Sequence, residues 1–70
     1  MITRQEMGRT IRQARLDKGY TQQYLGEMVG YEKNASAHVR EWESGRYYPP
    51  YQRLRAISQV LGIPLEKLIP

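Results

Sequence analysis

Residues 20–45 read YTQQYLGEMVGYEKNASAHVREWESG, from Tyr20 to Gly45. Two short amphipathic patterns lie in this stretch, joined by a polar turn containing a glycine. Thr21 is a good N-cap, and a helix over about 22–29 follows, with Tyr24, Leu25, Met28 and Val29 as its apolar stripe. Gly26 costs up to about 1 kcal/mol inside a helix, a cost that close approach of another helix would explain. Gly30 suits the position just past the helix end. Tyr31 to Asn34 form the turn, and Asn34 is expected to cap a helix over about 35–43. With Val39 at zero on a wheel of roughly 100° per residue, Ala35 and Trp42 fall within about 60° of it on the buried side. Lys33, Ser36, Ala37, Arg40, Glu41 and Ser44 gather on the other side. Near its start that face is short-chained, so a flat surface can come close to the backbone.

Outward from this stretch the chain reads as helical support. Thr3-Arg4-Gln5-Glu6 fits a capping box, and Met7, Ile11 and Ala14 follow on one helix face. That first helix covers about 4–18 and ends at Lys18-Gly19. Leu16 falls on its far side and is expected to be exposed. After the loop Arg46-Tyr47-Tyr48-Pro49, Pro50 suits the first turn of a fourth helix over about 50–61, with Leu54, Ile57, Val60 and Leu61 inward. Pro64 opens a last short turn in which Leu65, Leu68 and Ile69 can close the core. No stretch shows strand alternation. The expected fold is all-α: five helices in one domain over residues 1–70, with short connections.

Composition narrows the function. The chain has 70 residues, no cysteine and one histidine, so it offers neither a disulfide framework nor a cysteine-based metal site. No apolar run approaches the roughly 20 residues of a membrane span. The N-terminus MITRQEMG lacks the apolar core of a signal peptide, which points to a cytoplasmic protein. The formal net charge of +4 favours polyanions, although small basic proteins also exist without a nucleic-acid partner. No nucleophile–base pair, carboxylate dyad, phosphate-cradling glycine loop or metal spacing is present, so no enzyme activity and no cofactor are expected.

Several pieces together resemble the Cro and phage-repressor (XRE) type of helix-turn-helix domain. They are Met7, Ile11, Arg12 and Arg15; Gly19-Tyr20-Thr21-Gln22 with Leu25; Gly30; Val39, Trp42-Glu43 and Gly45; Pro49; and Leu54, Ile57 and Val60-Leu61-Gly62-Ile63-Pro64. The match runs over nearly the whole chain. The resemblance implies a five-helix domain that binds operator DNA as a dimer, its second motif helix in the major groove. In one respect this sequence departs from the family. The interval from Gly30 to Val39 is longer by a few residues, and the surplus falls in Tyr31–Asn34, at the start of the recognition helix.

Residue by residue, Ser36, Ala37, Arg40 and Glu41 match groove-facing positions of the family, and the wheel independently exposes all four. Arg40 is the best base reader, since its fork can pair guanine O6 and N7. Ser36 can donate or accept, and the Ala37 methyl can meet a thymine methyl. Glu41 can accept from cytosine N4, or repel phosphate unless Arg40 neutralises it. Thr21 is first a cap and second a phosphate donor. Gln22 matches a glutamine that bonds DNA phosphate and braces the recognition helix; its other reading is a solvated glutamine. Lys33, His38 and Arg46 are further phosphate candidates, His38 being equally readable as a partly buried histidine bonded to backbone. The family pairs the positions of Arg15 and Glu43 as an ion pair joining the first helix to the third. Trp42 is read as core. Tyr47 and Tyr48 have three open roles: core, phosphate contact or dimer contact.

The resulting expectation is a sequence-specific transcriptional regulator, more readily a repressor, bound as a homodimer to double-stranded DNA. The alternative is a protein-interaction module of the same fold, such as an antitoxin or a regulator-binding partner.

Overall fold

The computed structural model describes residues 2–69 and consists of helices only. Helix α1 is Arg4–Asp17, α2 Gln22–Met28, α3 Ala35–Glu43 and α4 Tyr51–Leu61. A 3-10 turn, Leu65–Lys67, follows α4. The all-α expectation holds, with one correction: the fifth helix is only this 3-10 turn. Its bonds close three residues back, the Lys67 amide donating to the Pro64 carbonyl at 3.0 Å and the Leu68 amide to that of Leu65 at 2.9 Å.

The starts of α1 and α2 are fixed by their caps. Thr3 and Glu6 form the capping box: the Thr3 hydroxyl accepts from the Glu6 amide at 3.1 Å and the Thr3 amide donates to Glu6 Oε1 at 2.9 Å. The Thr21 hydroxyl accepts from the Tyr24 amide at 2.9 Å. α1 and α2 each end one residue earlier than expected, with Lys18 and Val29 as caps. Pro50 precedes α4 as its cap rather than lying in its first turn.

Asn34 does not cap α3 with its side chain. Its backbone is left-handed, with φ 57° and ψ 31°, and no side-chain cap bond forms. A capping side chain needs extended backbone to fold back over the first turn, and the left-handed conformation aims it elsewhere.

All four helices contribute to one core, built from Met7 and Ile11, Leu25 and Val29, Val39 and Trp42, Leu54, Ile57 and Leu61, with Ile63 and Leu68 beneath the 3-10 turn. The stripe on α2 is narrower than its sequence pattern. Leu25 and Val29 are buried, but Tyr24 is 43% and Met28 50% exposed. The seven-residue helix packs mainly against α3 and touches α4 less, and Tyr24 and Met28 lie beyond both contacts. Leu16 is exposed, as expected.

The two motif helices meet at backbone distance. A β-carbon at Gly26 would collide with Ala35, standing 2.6 Å from its carbonyl carbon. Gly26 therefore lets α3 close onto α2, the reason anticipated from sequence for a glycine inside that helix. α1 approaches α3 in the same way, since a β-carbon at Gly8 would lie 2.8 Å from the Glu43 carbonyl oxygen. Two glycines thus seat α3 against its neighbours and fix which side it turns outward.

Candidate nucleic-acid interface

α3 has a buried side, but its other side is less open than the wheel predicts: of Ser36, Ala37, Arg40 and Glu41 only Arg40 is fully exposed. Ala35, Val39 and Trp42 are buried, as the wheel predicts. Ser36 and Ala37 are half-buried and Arg40 is exposed. Among the described residues Arg40 makes no side-chain hydrogen bond or ion pair, so its guanidinium is free. A free planar fork beside two small side chains suits a surface that offers paired acceptors, such as a guanine edge.

Glu41 is half-buried and its partner is not Arg40. Arg46 Nε lies 3.6 Å from Glu41 Oε2, and the Arg46 guanidinium also sits 5.5 Å from the centre of the Tyr47 ring. Neighbouring residues on a helix diverge by roughly 100°, which keeps Arg40 away, whereas the loop after Gly45 carries Arg46 back alongside Glu41. Arg46 is itself held by its backbone, its carbonyl accepting from Arg4 Nη1 at 3.4 Å. Lys33 is exposed in the turn.

The base of α3 is tied down by a polar cluster. Arg15 donates to Glu43 twice, through Nε at 2.6 Å and Nη2 at 3.0 Å, and to the Tyr20 carbonyl through Nη1 at 2.8 Å. Gln22 donates from Nε2 to Glu43 Oε1 at 3.2 Å. Arg12 Nη1 stands 3.9 Å from the same oxygen. Glu43 thus gathers side chains from α1 and α2 onto the last turn of α3. The side-chain amide of Gln22 lies beside the N-terminus of α2, where unpaired backbone N–H groups favour an anion. Thr21 is exposed there, its hydroxyl oxygen occupied as the cap acceptor.

His38 is partly buried, as one of its two sequence readings expects, but it meets a ring and not the backbone. It is half-buried and stacks on Tyr31, ring centres 3.9 Å apart and planes 18° from parallel, with no side-chain bond to backbone among the described residues. Trp42 lies beyond, 5.8 Å from Tyr31 and tilted. These rings, with Ala37, Glu41, Asn34, Tyr47 and Tyr48, border a shallow groove of about 530 Å³ along α3. Tyr48 packs against the core and donates its hydroxyl to the Ile2 carbonyl at 2.9 Å, whereas Tyr47 is exposed.

Sequence reasoning gave no role to Arg12, Tyr31 or Arg53. Arg12 was visible in the pattern as a residue one turn from Arg15, on the side facing Glu43. Nothing local signals that Arg53 of α4 reaches Tyr31, where its guanidinium lies 4.5 Å from the ring centre. Among the described residues no group of His, Asp and Glu could hold a metal, and no helix is long and apolar enough to cross a membrane.

Comparison with known proteins agrees with this geometry. The helix-turn-helix family model matches residues 11–68. The chain is 30% identical over 64 residues to an HTH-type transcriptional activator, BcrR, of Enterococcus faecalis. That alignment covers 91% of this chain and 30% of the relative, so the chain spans under a third of that protein's length. No solved structure gives a significant match.

Proposed function

The chain belongs to the helix-turn-helix family of the Cro and phage-repressor (XRE) type, and from that premise we propose that it binds double-stranded DNA and regulates transcription. One observation carries the reading. On the side opposite its buried residues α3 carries the half-buried Ser36 and Ala37 and an exposed Arg40 that is unpaired among the described residues. In this reading α3 enters the major groove, with Ser36, Ala37, Arg40 and Glu41 on base edges. Thr21, Gln22, Lys33, His38 and Arg46 contact phosphates. A helix this short reads about four or five base pairs, so two copies bind a near-palindrome with half-sites about 34 Å apart. Occupying such an operator represses.

Selection of bound duplexes from a random pool tests this directly. A recovered site with dyad symmetry is the expected result; no enrichment over input would sink the reading. Binding should also weaken steeply with salt, since about six phosphate contacts give a log–log slope of about −5. The relative is named an activator, so a promoter–reporter assay decides the sign. Increased expression on adding this protein would overturn the repressor part.

A second reading has its own support. Leu16, Tyr24 and Met28 are exposed large apolar side chains on α1 and α2, as a protein-binding module would present. A salt-insensitive complex with a protein, and no selected duplex, would favour it.

A further inference from the structure

The longer turn between α2 and α3 has little backbone support. The Tyr31 amide donates to the Gly26 carbonyl at 3.0 Å and the Asn34 carbonyl accepts from the His38 amide at 3.1 Å. Between these, among the described residues, the amides of Glu32, Lys33 and Asn34 make no hydrogen bond within the chain. Nor does a side chain of residues 31–38 make one, and Asn34 leaves α3 uncapped. The first turn of α3, with Ser36 and Ala37, follows directly from this loosely bonded segment.

What holds the segment is a stack of three side chains from three elements. Tyr31 belongs to the turn, His38 to α3 and Arg53 to α4. His38 lies parallel to the Tyr31 ring at 3.9 Å, and the Arg53 guanidinium lies over the same ring at 4.5 Å. Two planar groups so close cannot share one face of a ring, so Tyr31 sits between them. Arg53 Nη1 also packs over Gly30, 3.2 Å from where a β-carbon would stand. Contacts of a cation and a ring with an aromatic face are attractive and strongly dependent on geometry, and here all three groups are half-buried.

We propose that Tyr31 and Arg53 are positioning residues: the Arg53–Tyr31–His38 stack sets where the first turn of α3 stands, and so which bases Ser36, Ala37 and Arg40 reach. This inference rests on the DNA-binding reading above. Neither positioning residue has to touch DNA. They act on discrimination among sequences, because misplacing small side chains at a base edge loses directional contacts while long, flexible phosphate contacts adapt.

The test compares wild type with Tyr31→Phe, Tyr31→Ala and Arg53→Gln on the selected duplex and on a random one. Tyr31→Phe keeps the ring and should match wild type. Tyr31→Ala and Arg53→Gln should lower the selected-over-random ratio about tenfold, with random-duplex affinity and salt slope nearly unchanged. In the free proteins the amides of His38 and Val39 should exchange faster in both variants, relative to Ile11 in α1. Tyr31 also packs near Trp42, so if Tyr31→Ala does not fold, Arg53→Gln decides. Equal losses on both duplexes, or a ratio that neither variant moves, would overturn the positioning role and leave DNA binding standing. A wild-type chain that binds no duplex removes both readings.

Discussion

Arg15 grips Glu43 with two nitrogens of its guanidinium, at 2.6 and 3.0 Å, in a place where the two side chains are only 8% and 4% exposed. The pair bridges the last turn of α1 to the last turn of α3. Removing one member leaves the other charged and nearly dry, whereas removing both takes away the need for either. Arg15→Ala should therefore cost about 3 kcal/mol in urea unfolding, the lower end of the range, because Gln22 and Arg12 stay near the carboxylate. The double change Arg15→Met with Glu43→Leu should recover most of that loss. It would still leave the Tyr20 carbonyl without its Arg15 donor, at about 1 kcal/mol. A single-variant cost below about 1 kcal/mol would show that the pair is solvated in solution.

Gly26→Ala and Gly62→Ala separate two reasons for a glycine. Gly26 has helical backbone but no room, since its β-carbon would stand 2.6 Å from the Ala35 carbonyl carbon. Gly62 has room, with nothing within 4 Å, but its φ is +69°. Overpacking backbone against backbone should cost Gly26→Ala about 3 kcal/mol. The left-handed conformation alone should cost Gly62→Ala about 1 kcal/mol. Similar melting temperatures for the two variants would mean that α2 and α3 can part without penalty.

The same contrast explains what could be read from the chain and what could not. Thr3 with Glu6, Thr21, and the spacing of Ala35, Val39 and Trp42 are local signals, and the structure follows them. A cap or a helical stripe is decided by residues a few positions apart. The exposure of Tyr24 and Met28 escaped the pattern, because burial depends on what lies opposite a helix and not on the helix itself. The pairing of Glu41 with Arg46 and the reach of Arg53 to Tyr31 depend on a loop path and on the packing of α4. Neither leaves a periodic trace. Asn34 misled for a related reason: its residue type suits a cap, and the same type also tolerates the left-handed backbone that this turn imposes.

Glu6 should make the first helix sensitive to acid. Its carboxyl is held below the ordinary carboxylate value, chiefly by the Thr3 backbone amide and then by the Thr3 side chain. A depressed folded-state pKa stabilises the fold above the unfolded value, and the contribution disappears as pH falls through the folded one. Glu6→Gln keeps a hydrogen-bonding side chain in the capping box but does not titrate. Wild type should therefore melt above Glu6→Gln at about pH 7, and the gap should narrow as acid protonates the Glu6 carboxylate. The two proteins differ at this one side chain, so the difference isolates Glu6. A gap that stays constant as pH falls would assign the effect to shape rather than charge.

Arg40 and Gln22 should fail in different ways on DNA. Arg40 projects freely from the outer side of α3, with nothing in the fold depending on it. Gln22 reaches Glu43 at 3.2 Å and stands at the start of α2, so it touches the frame and the proposed phosphate path together. Arg40→Ala should cost about 1–3 kcal/mol on the selected duplex, relax preference at one base pair, and leave random-duplex binding almost unchanged. Gln22→Ala should weaken selected and random duplexes by similar factors and leave the ranking of sequences intact. The salt slope separates the two further: a neutral amide releases no counterion, so Gln22→Ala should not change it, and Arg40→Ala should change it little if its fork meets a base. A slope that drops by about one unit in Arg40→Ala, with equal losses on both duplexes, would place its guanidinium on a phosphate and remove it from base reading.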